Sequence, residues 1–345
     1  MAAVSERRRR VLLEHGAGPV GRPRAGRRRG GRDTGTEATG RPARAAARPR
    51  LVAVGGGKGG VGKTFFASNL ATCLAREGHS VVAVDADLEG ANLHTALGVS
   101  SPRASLADYV AQREEDISKL VVETPFAQLG LIAATQAHLG AAQPAHFRRA
   151  RLIQRLRALA VDFVIVDLGA GMSHATLDYF LAADDGVLVL TPEPTSVENA
   201  YGFLRAAFYR RMHLTLTSGL VRKLIAQAMD QRNEQGIRTP LDLVREVEAR
   251  DPREAQRFLA ALRQLRPRLV VNEVSSAEEI KLGFAVKSVC LKYFGMEADY
   301  LGYVNRDVTA RRAVVSRRPL VVAQPACDAA VYLERIARKL AASPS

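Results

Sequence analysis

Short apolar runs alternate with helical segments along most of this chain, and this alternation restricts the fold more than any other feature of the sequence. Each run is three to five residues long and lacks the polar–apolar alternation of a half-exposed strand. Strands of this kind are buried on both faces, as in a parallel sheet covered by helices. The runs are residues 51–54, 80–84, 129–133, 163–166, 187–190, 269–271 and 300–304. We therefore predict an α/β domain over residues 50–345, with a doubly wound, mostly parallel sheet and helices on both faces.

The composition is that of a globular chain. Of the 345 residues, 47% are hydrophobic and 25% are charged, and no apolar run approaches the ~18 residues that cross a bilayer. The three cysteines, Cys73, Cys290 and Cys327, lie far apart in the sequence. This spacing argues against a disulfide framework, a thiolate zinc site and a cysteine-ligated iron–sulfur cluster within one chain. The expected location is the reducing cytoplasm.

The net charge of +15 is concentrated at the amino terminus. The first 50 residues contain fourteen arginines and four acidic residues, so the remainder of the chain carries only +5. Because this segment has almost no apolar periodicity, we predict a disordered arginine-rich arm over residues 1–49. Three interpretations of the arm stay open: an electrostatic contact with nonspecific DNA or with the cytoplasmic face of the plasma membrane, an inert tail, or translated sequence upstream of the true start.

The region before the strand at residues 269–271 is longer than one connecting helix requires. Two helix starts are evident within it, because Thr239 precedes Pro240 and Asp251 precedes Pro252. A capping residue followed by proline at the first helical position is a typical helix start. We predict a helical insertion at about residues 212–267.

A glycine-rich motif follows the first apolar run. Residues 57–64 read Gly-Lys-Gly-Gly-Val-Gly-Lys-Thr and match G-x-x-x-x-G-K-[ST] between a strand and a helix. Glycines let backbone N–H groups curl around phosphate oxygens, and the helix amino terminus adds partial positive charge. Lys63 is expected to reach the β- and γ-phosphates of a nucleoside triphosphate, and the Thr64 hydroxyl to ligate Mg²⁺.

Carboxylates end two further apolar runs. Asp85 and Asp87 lie in Val-Asp-Ala-Asp-Leu-Glu-Gly, and Asp167 begins Asp-Leu-Gly-Ala-Gly. An acidic side chain near Mg²⁺ and a second one near the γ-phosphate are needed to hold the waters of the metal and to orient the attacking water. These residues are therefore candidates for the metal and catalytic positions.

Together these motifs resemble the MinD/ParA class of P-loop ATPases, whose deviant Walker A motif has an additional lysine early in the loop, here Lys58. Residues 191–196, Thr-Pro-Glu-Pro-Thr-Ser, are most similar within that class to MinD-like flagellar-number regulators of the FlhG or FleN type. The resemblance covers roughly residues 50–205 and 268–341. It implies a P-loop NTPase fold of the SIMIBI type, with ATP and Mg²⁺ as ligands.

The resemblance also implies individual roles. In this class the early lysine crosses a dimer interface to the nucleotide of the partner, Asp85 takes the metal side, and Asp87 orients the attacking water. The expected catalytic residues are Lys58, Lys63 and Asp87, and the expected metal residues are Thr64, Asp85 and Asp167. The expected nucleotide contacts are Gly57, Lys58, Gly59, Gly60, Val61, Gly62, Lys63, Thr64, Phe65 and Asn272.

Base recognition has a weaker signal. Asn272 ends a strand where this class often places an asparagine that hydrogen-bonds adenine, but an asparagine at a strand end is equally a turn former. Residues 302–307 resemble the segment of the class that lines the adenine pocket. Asn305 stands there in place of the usual proline, which leaves the backbone geometry of that wall undetermined.

The function implied is a switch that closes as a homodimer when ATP is bound and opens after a protein partner stimulates hydrolysis. Its expected task is to control the position or number of a cellular structure, such as a division site or a flagellum. The alternative is a ParA-type partition ATPase that binds DNA nonspecifically. The V-D-x-D-P-Q signature of that group is absent, because Leu88 and Glu89 follow Asp87.

Overall fold

One mixed sheet organises the computed structural model, which describes residues 48–88, 90–134, 146–219, 222–225 and 239–343. Within these ranges eight strands lie in the order β3-β4-β2-β5-β1-β6-β7-β8. The strands are β1 (Arg50–Gly55), β2 (Val81–Asp85), β3 (Val122–Glu123), β4 (Leu129–Ile132), β5 (Phe163–Asp167), β6 (Asp185–Leu190), β7 (Arg268–Val274) and β8 (Asp299–Asn305).

All pairings are parallel except that of β3 with β4, which is antiparallel. The seven apolar runs predicted as strands are all strands of this sheet, and the predicted mostly parallel α/β class is confirmed. β3 was not predicted, because two residues are too short to show a pattern.

Helices connect the strands and cover the sheet. They are α1 (Lys63–Arg76), α2 (Leu93–Ala96), α3 (Leu106–Val110), α4 (His146–Leu156), α5 (His174–Ala182), α6 (Pro194–Thr215), α7 (Pro240–Arg250), α8 (Pro252–Arg263), α9 (Ala277–Val289), α10 (Val308–Val315), α11 (Leu320–Ala323) and α12 (Asp328–Ala342). Further helical elements are a 3₁₀ turn at Ile117–Leu120 and a π turn at Cys290–Phe294, and residues 222–225 are helical as well.

Successive residues of the central strands face opposite sides of the sheet and enter different cores. Leu51 lies in the core that includes residues of α4–α9, whereas Val52 lies in the core formed with α1 and α12. Both are buried. The absence of polar alternation in β1 therefore follows from burial on both faces.

An ion-pair network holds the amino ends of four neighbouring strands. The buried carboxylate of Asp185, the first residue of β6, accepts hydrogen bonds from Arg50 Nε of β1 at 2.6 Å and from Arg268 Nε of β7 at 2.9 Å. Arg268 also bonds Asp299 of β8 at 2.8 Å. We call these four residues the Asp185 network. It lies at the end of the sheet opposite to the glycine-rich loop.

The helices predicted within the insertion are present. Thr239 accepts a hydrogen bond from the Asp242 amide and begins α7, and Asp251 accepts one from the Glu254 amide and begins α8. α8 packs on α6, with 5.1 Å between the ring centroids of Phe258 and Phe208. Residues 226–238 lie outside the described ranges, and the insertion as a unit stays a prediction. No described helix combines the length and the apolar character needed to span a membrane.

The predicted arm, residues 1–49, lies outside the described ranges apart from its last two residues. Of these, Arg48 forms an ion pair with Asp184, beside the Asp185 network. Two of the fourteen amino-terminal arginines, Arg48 and Arg50, are thus engaged by the folded domain.

Candidate functional site

The candidate site lies at the carboxyl ends of three neighbouring strands, β2, β5 and β1. Asp85 is the last residue of β2 and Asp167 the last residue of β5, and the two are direct partners in the parallel ladder. The glycine-rich loop leaves β1 next to them and leads into α1. Ligands of doubly wound α/β folds bind at this edge. The sheet therefore places both carboxylates beneath the loop.

The loop backbone is shaped to hold an anion. Gly60 and Gly62 have φ angles of 82° and 92°, which only glycine adopts without strain. Gly62 caps α1 without a side chain, and the first turn of α1 has no acidic residue. The amide groups at this helix end are thus left for a ligand, with the positive end of the helix dipole behind them.

Lys63 is the cation of the loop. Its side chain turns back so that Nζ donates a hydrogen bond to the carbonyl oxygen of Lys58 at 3.2 Å. Burial lowers the pKa of Lys63, and the charges of Asp167 and Asp87 partly oppose that effect. The ammonium group is therefore held within the curve of the loop, where phosphate oxygens would lie.

Burial dominates the protonation of both strand-end carboxyl groups. Desolvation raises the pKa of Asp167 to about 8, although a hydrogen bond to the Thr64 hydroxyl opposes the rise. Desolvation raises the pKa of Asp85 to about 7, against hydrogen bonds donated by the amides of Leu93 and Asp87, both at 3.1 Å. The charges of Asp85 and Asp87 raise the pKa of Asp167 further, and the charge of Asp87 raises the pKa of Asp85, because like charges repel.

The residues present fit a Mg²⁺ ion bound together with a nucleotide. Oδ1 of Asp167 is buried and has no hydrogen-bond partner in the described ranges, which is a cost that a cation or its water removes. Thr64 and Asp85 add a hydroxyl and a second carboxylate, the oxygen ligands that Mg²⁺ prefers. The described residues contain no group of three or more His, Cys, Asp or Glu side chains suited to a metal. A Mg²⁺ ion held there would take its remaining ligands from phosphates and water.

Asp87 lies beside the loop that follows β5. Its Oδ1 accepts a hydrogen bond from the Gly90 amide at 2.8 Å. A Cβ atom added to Gly169 would be only 3.2 Å from Asp87 Cγ. Asp87 and Gly169 both line a cavity of about 490 Å³. The structure thus brings the predicted catalytic carboxylate and the loop after Asp167 together.

The side chain of Lys58 makes contacts different from those of Lys63. Its Nζ donates hydrogen bonds to Thr195 Oγ1 at 3.0 Å and to Glu193 Oε2 at 3.4 Å. The preceding Gly57 packs against α6, since a Cβ atom there would be 2.1 Å from the carbonyl oxygen of Asn199. These contacts are not evident from the sequence, although residues 191–196 stand out in it. Pairs so distant in sequence leave no local pattern.

Asn272 contacts the glycine-rich loop. Its side-chain Nδ2 donates a hydrogen bond to the carbonyl oxygen of Val61 at 3.0 Å, and it lies against Gly62. With Phe65 and Asn305 it also borders a cavity of about 300 Å³. A purine contact by Asn272 stays a prediction, and the observed hydrogen bond gives this residue a structural role in holding the loop.

Known proteins resemble this chain over most of its length. The antiactivator FleN of Pseudomonas aeruginosa is 26% identical over 300 residues, which are 86% of this chain and 87% of that protein. The flagellum site-determining protein YlxH of Helicobacter pylori is 26% identical over 182 residues, 50% of this chain and 58% of that protein. The fold is similar to that of the septum site-determining protein MinD of Pyrococcus horikoshii, which was solved with Mg-ADP. The TM-score is 0.58 and the identity 21%, over 85% of this chain and 96% of that one.

A family model covers the sheet and the site in one span. The model of the CobQ/CobB/MinD/ParA nucleotide binding domain matches residues 52–320. This span begins in β1, contains the glycine-rich loop, Asp85, Asp87 and Asp167, and ends after α10. The chain therefore belongs to the CobQ/CobB/MinD/ParA family of nucleotide-binding proteins.

Proposed function

We propose that this protein is a Mg²⁺-dependent ATPase that dimerises with ATP and opens after hydrolysis, and so controls the position or number of a cellular structure. The observation that carries the proposal is the placement of the anion-binding loop directly above Asp85 and Asp167. A buried, unpartnered carboxylate oxygen next to an anion site suits a metal–triphosphate ligand better than an anion alone. The Mg-ADP bound to the Pyrococcus horikoshii MinD supports the same ligand class here.

The residues divide into binding and hydrolytic groups. Residues 57–65 hold the phosphates through backbone amides and Lys63, which neutralises charge on the β- and γ-phosphates. Thr64, Asp85 and Asp167 hold Mg²⁺, which when bound neutralises phosphate charge and orders the phosphate oxygens. Asp87 lies next to Gly169 and orients the water that attacks the γ-phosphate.

Lys58 serves the dimer. Lys63 already occupies the curve of the loop, so a second lysine is not required for the phosphates of its own chain. In the single chain the Lys58 side chain is half exposed and bonded to Thr195 and Glu193 at the surface. Breaking these contacts so that Lys58 can bind a phosphate across an interface costs little free energy, because exposed ion pairs contribute little to stability. Lys58 is therefore available to the nucleotide of a second copy.

The proposed cellular role is supported by the names of the similar proteins. FleN is an antiactivator, YlxH a flagellum site-determining protein and MinD a septum site-determining protein. Two of these names describe site determination, and we extend that role to this chain. Deletion of the gene is expected to change the number or position of flagella or septa, counted by electron and light microscopy, and normal counts of both would contradict the role.

Light scattering with ATP and Mg²⁺ tests the switch. The Asp87→Ala variant should bind ATP and accumulate as a dimer, because hydrolysis no longer opens it. The Lys58→Ala variant should bind ATP through Lys63 and stay monomeric. Lys287→Ala, which removes an exposed lysine of α9, is the matched control and should behave as the parent protein.

Two results would contradict the proposed switch. Dimerisation of Lys58→Ala at the parent's ATP and protein concentrations would show that Lys58 does not bind the nucleotide of the second copy across the dimer interface. Absence of ATP binding by the parent protein in calorimetry at millimolar ATP and Mg²⁺ would remove the ATPase proposal itself.

A further inference from the structure

A ridge of apolar side chains on α10 faces solvent. Val308 and Val315 are 84% and 76% exposed, the highest values among the large apolar side chains of the described ranges. They are seven residues apart, which places them on the same side of the helix two turns from each other. The opposite side is fixed, because Ala313 is buried in the core with α1 and α12. The buried side of α10 therefore fixes its rotation about the helix axis, and Val308 and Val315 face solvent.

Arginines surround this ridge. In residues 306–318 five arginines accompany a single acidic residue, Asp307. Asp307 is already engaged, since its Oδ1 accepts hydrogen bonds from the Thr309 amide at 2.7 Å and the Thr309 hydroxyl at 2.6 Å. Within the described part of the chain no ion pair or side-chain hydrogen bond involves the five, which are all exposed. They are Arg306, Arg311, Arg312, Arg317 and Arg318.

The ridge and the arginines form a groove. Arg306, Arg311 and Arg312 line a cavity of about 680 Å³ together with Val308 and Val315. We call it the α10 groove. Its lining combines cationic side chains with the two exposed valines, and exposed apolar patches rimmed by polar residues mark interaction sites.

We propose that the α10 groove docks an acidic segment of a partner protein, with carboxylates on the arginines and an apolar side chain on the valine ridge. Arginine presents a planar fork of donors that matches a carboxylate in a two-bond geometry. Three such cations line the groove beside one occupied carboxylate, and Arg317 and Arg318 follow soon after in the sequence, so positive charge is in excess here. An acidic, partly apolar segment satisfies both halves of the groove.

The valines favour this occupant over nucleic acid or lipid. A nucleic-acid backbone would cover Val308 and Val315 with phosphates and leave their apolar surface without a complement. A bilayer interface is bound by long or aromatic side chains such as leucine, phenylalanine and tryptophan, whereas valine is short. DNA and anionic vesicles are therefore the competing occupants that the experiment must separate.

The inference goes beyond the ATPase and does not depend on it. Arg306 and Arg311 also border the cavity beside Asn272, so the groove and the candidate base pocket adjoin. Docking is tested without nucleotide, and failure of ATP binding would leave the docking result interpretable.

The probe is a library of random twelve-residue peptides displayed on phage and selected on the full-length protein. Enriched peptides are expected to combine Asp or Glu with apolar residues. Their affinity, measured by fluorescence anisotropy, should fall at least about tenfold in the double variant Arg311→Glu, Arg312→Glu. It should fall about fivefold in Val308→Ser, Val315→Ser, which removes apolar contact but no charge. The variant Arg253→Glu, Arg263→Glu changes the net charge equally on exposed positions of α8 and should bind as the parent does.

Any result that differs from these expectations contradicts the proposal. It is wrong if no peptide is enriched, if the enriched peptides lack acidic residues, or if the α10 and α8 charge reversals weaken binding equally. It is also wrong if only DNA or phosphatidylglycerol vesicles lose affinity in the α10 variant. Should the double reversal unfold, as judged by circular dichroism, Arg311→Gln and Arg312→Gln make the same comparison.

Discussion

Replacing Asp167 by asparagine should stabilise the nucleotide-free protein, although Asp167 lies at the centre of the proposed site. Burial raises the pKa of this carboxyl group from 3.8 to about 8. An acid with a raised pKa keeps its proton in the fold over a pH range in which the unfolded chain has already released it. The free energy of unfolding therefore decreases as pH rises from the unfolded pKa and levels off above the folded one.

The size of the effect follows from the shift. At pH 7 the unfolded carboxyl group is ionised while the folded one is mostly protonated, which costs the fold on the order of 4 kcal/mol. At pH 5 the same difference costs roughly 2 kcal/mol. Asparagine does not titrate, but its buried amide costs roughly 2 kcal/mol for lack of partners. The net gain for Asp167→Asn is roughly 2 kcal/mol at pH 7 and close to zero at pH 5.

Urea unfolding at pH 5, 7 and 8, with EDTA and without nucleotide, measures this gain. Asp185→Asn is the control, for which we expect a decrease in the free energy of unfolding instead of a gain. Its carboxylate is as buried as that of Asp167 but ion-paired with Arg50 and Arg268, so its loss should destabilise the protein by about 3 kcal/mol at every pH tested. The reasoning is refuted if Asp167→Asn is no more stable than the parent at pH 8, or if its advantage is as large at pH 5.

Two further changes test the loop and the arm. Gly57→Ala should lower the free energy of unfolding by about 2 kcal/mol in urea denaturation, because its Cβ would be 2.1 Å from the Asn199 carbonyl oxygen; an unchanged midpoint would contradict the close packing. Deletion of residues 1–44, which keeps Arg48 and Arg50, should remove most binding to DNA or anionic vesicles and its salt dependence in co-sedimentation. Undiminished affinity would place that contact on the folded domain.

The central strands and the glycine-rich loop were predictable because their signals are local. β1, β2 and β5 are buried on both faces, which forces continuous apolar runs, and each run ends where the chain turns toward the site. Gly60 and Gly62 both have positive φ angles, which favour glycine, and the two positions are only two residues apart in the sequence. Constraints of this kind act on residues that are neighbours in the sequence, so a local pattern reveals them.

Contacts between distant segments could not be predicted in the same way. Asp185 meets Arg50 and Arg268 only because β6 lies between β1 and β7 in the sheet. The hydrogen bond from Asn272 to Val61 joins residues 211 positions apart. Such pairs depend on the order of strands in the sheet, and one sequence shows no periodicity that reports this order.

The Asp185 network makes the two ends of the sheet mechanically unequal. β1, β6, β7 and β8 are tied together at their amino ends by buried or half-buried charges on Asp185, Arg50, Arg268 and Asp299. At the opposite end the same strands release their chains into loops, including the one that holds Gly60 and Gly62. The ion pairs therefore hold only the end of the sheet away from the candidate site, and the loop end is held by the hydrogen bonds of the ladders and by apolar packing. A substitution in the Asp185 network should accordingly lower the stability of the fold without altering any residue of the candidate site.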